Sequence, residues 1–255
     1  MHGGKIGVIA AMAVLVTACA GSPAGEDGAP GASPPPAAAS PSPRAAGSTL
    51  VAAQYQPVWP FASPEEVRAW QDAYRENGRE AWHLDPARTA LAFTRDFLGF
   101  RGIDVITSRR VYQHDAHIGV GYRAEPGADP STAAIVHLVR YGDGDEAPWE
   151  VVGTDDTTFT LTTPRYGATV SSPLTVGGRV TGVDESIRVT VLGRSARPLG
   201  EHCCLPAGGE RRPWSAKLRF SPPEERDDLL TVVASTGGHV ADVERFAITA
   251  VRPRR

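Results

Sequence analysis

Few residues in this 255-residue chain offer acid–base or nucleophilic chemistry. The imidazole and carboxyl groups that come close in sequence are His83 with Asp85 and His114 with Asp115, and His137 stands alone among apolar neighbours. A general acid–base pair must converge in one pocket with matched pKa values. His83 with Asp85, beside Trp70, Tyr74, Trp82 and Phe93, is the set that a ligand pocket would use; the same aromatics at helical spacing also read as core. His114 and His117 form H-x-x-H, but in a strand residues three apart point to opposite faces, so the spacing makes a poor metal pair. His137 reads as a hydrogen-bonded core histidine. The sequence lacks G-x-S-x-G, a Walker loop and a dinucleotide fingerprint. The expectation is no catalytic residue, no metal, no cofactor, and a protein that is not an enzyme.

The remaining reactive groups are three cysteines. Cys203 and Cys204 are adjacent. In an exported, oxidising setting they can form a vicinal disulfide, remain two thiols, or pair between molecules. His202-Cys203-Cys204 does not resemble a zinc site, whose ligands are separated by two to four residues so that they can converge.

Cys19 belongs to a different chemistry. Lys5 precedes an apolar run from Ile6 to Val16, shorter than the roughly 20 residues a membrane-crossing helix needs. Val16-Thr17-Ala18-Cys19 follows and resembles the lipobox of bacterial lipoproteins. That resemblance implies cleavage after residue 18, a diacylglyceryl group on the Cys19 sulfur, and tethering to the extracytoplasmic face of the cell membrane. An ordinary secretory signal is the alternative, since Ala18-Cys19-Ala20 also reads as an A-x-A cleavage site. Residues 20 to 48 are almost wholly Ala, Pro, Gly and Ser. Nothing in such a segment offsets the entropy of ordering it. At about 3 Å per residue it reaches on the order of 90 Å.

The elements that would position these groups fall in two regions. Residues 1–18 read as signal and 19–54 as lipidated cysteine and linker. In residues 55–156, Ser63-Pro64-Glu65-Glu66 has the form of a helix start with a capping box, and Asn77-Gly78 a stop. Asp85-Pro86 starts a second helix whose inner face is Ala87, Ala90, Leu91, Thr94, Phe97 and Leu98. After Gly102 the apolar period becomes two: Ile118, Val120 and Tyr122, then Ala134, Val136 and Leu138, then Trp149 and Val151. Helices followed by antiparallel strands predict an α+β domain with helices on a curved sheet. The order resembles the cone-shaped nuclear transport factor two-like fold, with a cystatin-like sheet as the near alternative. That family holds both enzymes and binding domains.

In residues 157–255, six short apolar-alternating segments separated by Gly, Pro and Asp predict an all-β sandwich. Residues Gly193–Pro213 read as a long loop holding both cysteines, and Ser221–Asp228 as a solvated turn. The run Val170, Ser172-Pro173-Leu174, Val176 and Gly178 resembles the opening of the immunoglobulin-like domain of bacterial spore germination and sporulation lipoproteins. It implies an immunoglobulin-like sandwich in the envelope and supplies no catalytic residue.

With 26 basic and 29 acidic residues the chain lacks the basic excess that nucleic acid binding calls for. The function expected is a non-enzymatic binding or scaffolding lipoprotein, linked to sporulation or germination through that resemblance. Its partners would be the membrane, through diacylglyceryl Cys19, and an unknown envelope protein or wall polymer. Ligand binding or catalysis in the 55–156 pocket is the alternative.

Overall fold

The structure, a computed structural model, describes residues 49–224 and 227–254. Cys19 and the signal and spacer readings lie outside the described residues, except the last stretch of the expected linker. There Leu50 and Ala52 are buried. Leu50 packs with Phe61, Val67 and Trp70, so the folded chain starts earlier than its composition indicates.

Two helices form where capping chemistry places them. Helix α1 (Pro64–Asn77) begins at Ser63, whose hydroxyl accepts from the Glu66 amide, and ends at Gly78 in the left-handed region, φ 69°. A residue without Cβ takes that conformation at least cost. Its amphipathic stripe buries Val67 and Trp70 against the amino-terminal strap, not against a sheet. Helix α2 (Pro86–Ala92) starts at Asp85 and lasts seven residues before a π-helical turn, Phe93–Phe97. Ala87, Ala90, Phe93 and Phe97 are buried.

The strands form two sheets. Strands β1 (Val105–Val111), β2 (Asp115–Tyr122), β3 (Ser131–Arg140) and β4 (Trp149–Thr154) make an antiparallel sheet in chain order. The second sheet has the order β5-β9-β8-β6-β7, from β5 (Thr169–Val170), β6 (Leu174–Leu192), β7 (Pro198–Leu218), β8 (Leu230–Thr236) and β9 (Arg245–Pro253). Strands β6 and β7 are one long hairpin that bends where its register shifts, between Val180 and Glu185. Its first half also meets the segment around Phe159 and Thr163. Gly178 is needed there: a Cβ would collide with the Thr160 carbonyl oxygen.

These sheets correct the fold expected from sequence. The described chain is mostly β, with two sheets and two short helices, not an α+β domain with helices on a curved sheet. The physical reason is a shared core. The inward residues of the first sheet, among them Ile118, Val136, Leu138, Trp149 and Val151, pack in one cluster with Leu192, Leu229, Val233, Phe246, Ile248 and Ala250. Ala46–Arg255 is accordingly one compact unit. Helix α2 and the turn after it cover only part of that apolar face, through Ala87, Ala90, Phe93 and Phe97, and β8 and β9 pack in the same cluster.

Two loop expectations change for related reasons. Most of Gly193–Pro213 is strand β7, with only a tight turn at Gly193–Arg197, closed by the Gly193 amide on the Arg197 carbonyl. The Ser221–Asp228 turn is pinned: buried Asp227 accepts from the Arg194 amide at 2.8 Å, and Asp228 accepts from Arg194 Nε at 2.9 Å and Gln56 Nε2 at 2.7 Å.

A shared core predicts shared unfolding. Phe246→Ala should cost about 3–5 kcal/mol and destabilise both sheets together. Trp149 and Trp214, used as separate fluorescence reporters, should report one urea midpoint; two separated transitions would contradict the shared core.

Candidate functional site

The alternation of β2 puts Ala116, Ile118 and Val120 in the core and turns Asp115 and His117 to the opposite face. Pairing of β2 with β3 sets His117 directly across from His137, and pairing of β3 with β4 brings Asp155, the residue after β4, beside them. The two imidazoles stack, with centroids 4.7 Å apart and planes 7° from parallel. His117 Nε2 lies 2.7 Å from Asp115 Oδ1, and His137 Nε2 lies 2.8 Å from Asp115 Oδ2. His117 Nδ1 lies 2.9 Å from both carboxylate oxygens of Asp155. Tyr55 meets the His137 ring edge-on at 5.4 Å, and Arg110 on β1 approaches Asp155 at 3.9 Å. The side chains of Asp115, His117, His137 and Asp155 are all partly exposed.

This cluster differs from the arrangements weighed in sequence. His137 is a sheet-face residue bonded to Asp115, not part of the apolar core. His114 lies apart from His117, near Asp143 at 3.6 Å. The i, i+2 spacing of Asp115 and His117 was readable as one strand face. The opposition of His137 depends on the turn between β2 and β3 and on the register shift at Val120 and Gly121, which no local pattern specifies.

The sequence-derived pocket set does not assemble into an acid–base site. Asp85 spends its carboxylate on the α2 start, accepting from the Ala87 and Arg88 amides at 2.8 and 3.3 Å. His83 is buried among rings: its centroid lies 3.6 Å from Trp82, 4.8 Å from Phe61 and 5.1 Å from Trp70. Burial pulls its pKa down to about 4, so it is neutral at pH 7. Trp70 stacks on Tyr74, and Phe93 is sealed in the core. Trp82 stacks on Trp59 and borders an open groove of about 560 Å³ with Arg88 and Arg95. The other five residues of the set do not line that groove.

A second region is the bend of the long hairpin. Val183 there is 82% exposed and Val240, in the loop before β9, is 59% exposed. His239 Nε2 reaches the Asp184 carbonyl at 2.8 Å, which holds the two loops together. A concavity of about 740 Å³ opens between residues 182–186 and 206–209. A smaller one of about 410 Å³ adjoins it at Ser186 and is bordered by Cys204. Cys203 and Cys204 are exposed within β7 and joined as a vicinal disulfide. They thus lie on a strand, not on the loop expected.

Sequence reasoning passed over Glu150, a fully buried carboxyl. The Phe61 amide donates to its Oε2 at 3.4 Å, while Oε1 has no partner. Burial pushes its pKa well above the usual carboxylate range. The alternating pattern of β4 gave no warning, because Trp149-Glu150-Val151 reads as an in–out–in strand with a solvated carboxylate.

Comparison with models of known families finds no match for this chain, and no curated protein matches it significantly.

Two measurements follow. In the folded state Glu150 keeps its proton above the unfolded value near 4.3. Its contribution therefore opposes folding increasingly as pH rises through that value. Glu150→Gln should raise the thermal midpoint at pH 7 and leave it nearly unchanged at pH 4. His83 acts in the opposite sense, its stabilisation being lost as pH falls from about 6.5 toward about 4. Intact-mass analysis should show the unreduced protein two hydrogens lighter than the reduced form and refractory to alkylation at Cys203 and Cys204; two alkylated thiols without reductant would contradict the pairing.

Proposed function

We propose that the protein is a lipid-anchored, non-enzymatic binding module of the cell envelope. In this reading Cys19 carries the anchor, the Ala/Pro/Gly/Ser-rich segment is the spacer, and the compact unit Ala46–Arg255 is the working body. The observation that carries the binding role is the hairpin bend, where exposed Val183 lines the larger of two adjoining concavities and exposed Val240 follows His239, which reaches the Asp184 carbonyl. Exposed apolar side chains grouped at a concave rim are a signature of protein recognition. A hydroxylated wall polymer would present little apolar surface to the two valines, so the partner favoured is an envelope protein. The resemblance of Val170–Gly178 to sporulation and germination lipoproteins supports the same compartment. Among the described residues no helix is long and apolar enough to cross a membrane, and the proposed attachment rests on Cys19.

A small-ligand or enzymatic pocket between residues 55 and 156 has less behind it. Asp85 is committed to capping α2, and Phe93 is closed off in the core.

Two variants test the proposal. Cys19→Ala should move the protein out of the washed membrane fraction; continued retention there would remove the anchor. Val183→Asp with Val240→Asp should leave the thermal midpoint within a degree or so, since surface changes are usually within about 0.5 kcal/mol. It should also abolish capture of an envelope protein by photocrosslinkers placed at Pro206 and Asp242, which line the two concavities. Crosslinks to wall polymer alone would replace the partner class, and undiminished capture by the double variant would remove the hairpin bend from the interaction.

A further inference from the structure

We propose that Asp115, His117 and His137 form a binding site for a divalent first-row transition metal, of which zinc is the reference ion. Asp155 is its positioning residue. The donor atoms of the three ligands lie within 4.8 Å of one another, and they come from one strand pair whose register fixes them.

Convergence of the donor atoms makes the case. Asp115 Oδ1 lies 2.7 Å from His117 Nε2 and Asp115 Oδ2 lies 2.8 Å from His137 Nε2, so one carboxylate gathers both imidazoles. The register sets the two rings opposite each other on one sheet face, stacked with centroids 4.7 Å apart. A metal ion there would accept the Nε2 lone pairs of His117 and His137 and an oxygen of Asp115.

Asp155 completes the arrangement. Its carboxylate on His117 Nδ1 holds the N–H there and turns the Nε2 lone pair outward, the carboxylate–histidine–metal relation that orients ligands and raises their basicity. Two imidazoles and one carboxylate suit zinc, copper, iron or nickel better than calcium or magnesium, which prefer all-oxygen sets. In a tetrahedral zinc site ligand atoms sit about 3.3 Å apart. The present N···O separations need to open by roughly half an ångström, which partly exposed side chains can do by small rotations. Three protein ligands leave a further position for water or a partner's ligand.

The test uses the untagged full chain in detergent, stripped with chelator and titrated with zinc chloride by calorimetry. One zinc should bind per chain. His117→Gln and His137→Gln should each weaken binding by more than about 100-fold, and Asp155→Asn by about 10- to 100-fold with stoichiometry retained and the metal-free thermal midpoint little changed. Should a ligand variant fail to fold, the wild-type protein decides. Zinc should protect His117 and His137 from diethyl pyrocarbonate while His114, His202 and His239 stay as reactive as before. Absence of zinc binding, protection of other histidines, or affinity unchanged in Asp155→Asn would overturn the site or the role given to Asp155.

Discussion

The structure depends on strands β8 and β9 being buried on both faces. All seven residues of β8 are buried, as are six of the nine in β9. Alternation then sends Val233, Phe246, Ile248 and Ala250 into the core shared with the first sheet, and Leu230, Val232, Ala234, Ala247 and Val251 into the core under the long hairpin. Each face removes apolar area from water at about 25 cal/mol per Å². No boundary between the two regions can open without exposing one of those faces. The Arg194 side chain reinforces the arrangement by donating to Asp228 and to the Pro57 carbonyl, which joins the amino-terminal strap to the turn of the hairpin.

The candidate site inherits its order from this arrangement. The face of the first sheet that does not meet β8 and β9 is free to carry polar side chains, and there Asp115, His117 and His137 converge. The core on the other side holds the β2–β3 register through Ala116, Ile118, Val136 and Leu138, since a one-residue slip would exchange the two faces. The imidazoles are therefore held in stack by hydrophobic packing they do not touch.

How much of this was readable in the sequence follows the range of each interaction. Helix starts at Ser63 and Asp85 and the stop at Gly78 are settled within four residues, and the sequence locates them. The strand faces of β2 and β3 are also local, so the period of two was visible. Failures came where the deciding partner is remote. Uniform burial in β8 looks like one strand of an ordinary sandwich until the first sheet is placed against it. Pro206, Gly208 and Gly209 read as loop, yet they sit in β7, an edge strand where proline loses no needed ladder bond. The metal-ligand set needed the pairing of residues 117 and 137, which only the folded register provides.

The order in which this chain is made has a consequence of its own. The first sheet is finished by residue 154, but the part of its core supplied by β8 and β9 arrives with residues 229–250. A nascent chain released amino end first must carry Ile118, Val136 and Val151 only partly covered, by α2 and the turn after it, while nearly a hundred further residues are delivered. Such long-range closure slows folding and leaves apolar surface open to aggregation in the interval. The last strand thus acts as a latch: β9 turns a provisional collapse into a finished body, and a chain cut short before it would leave both cores open.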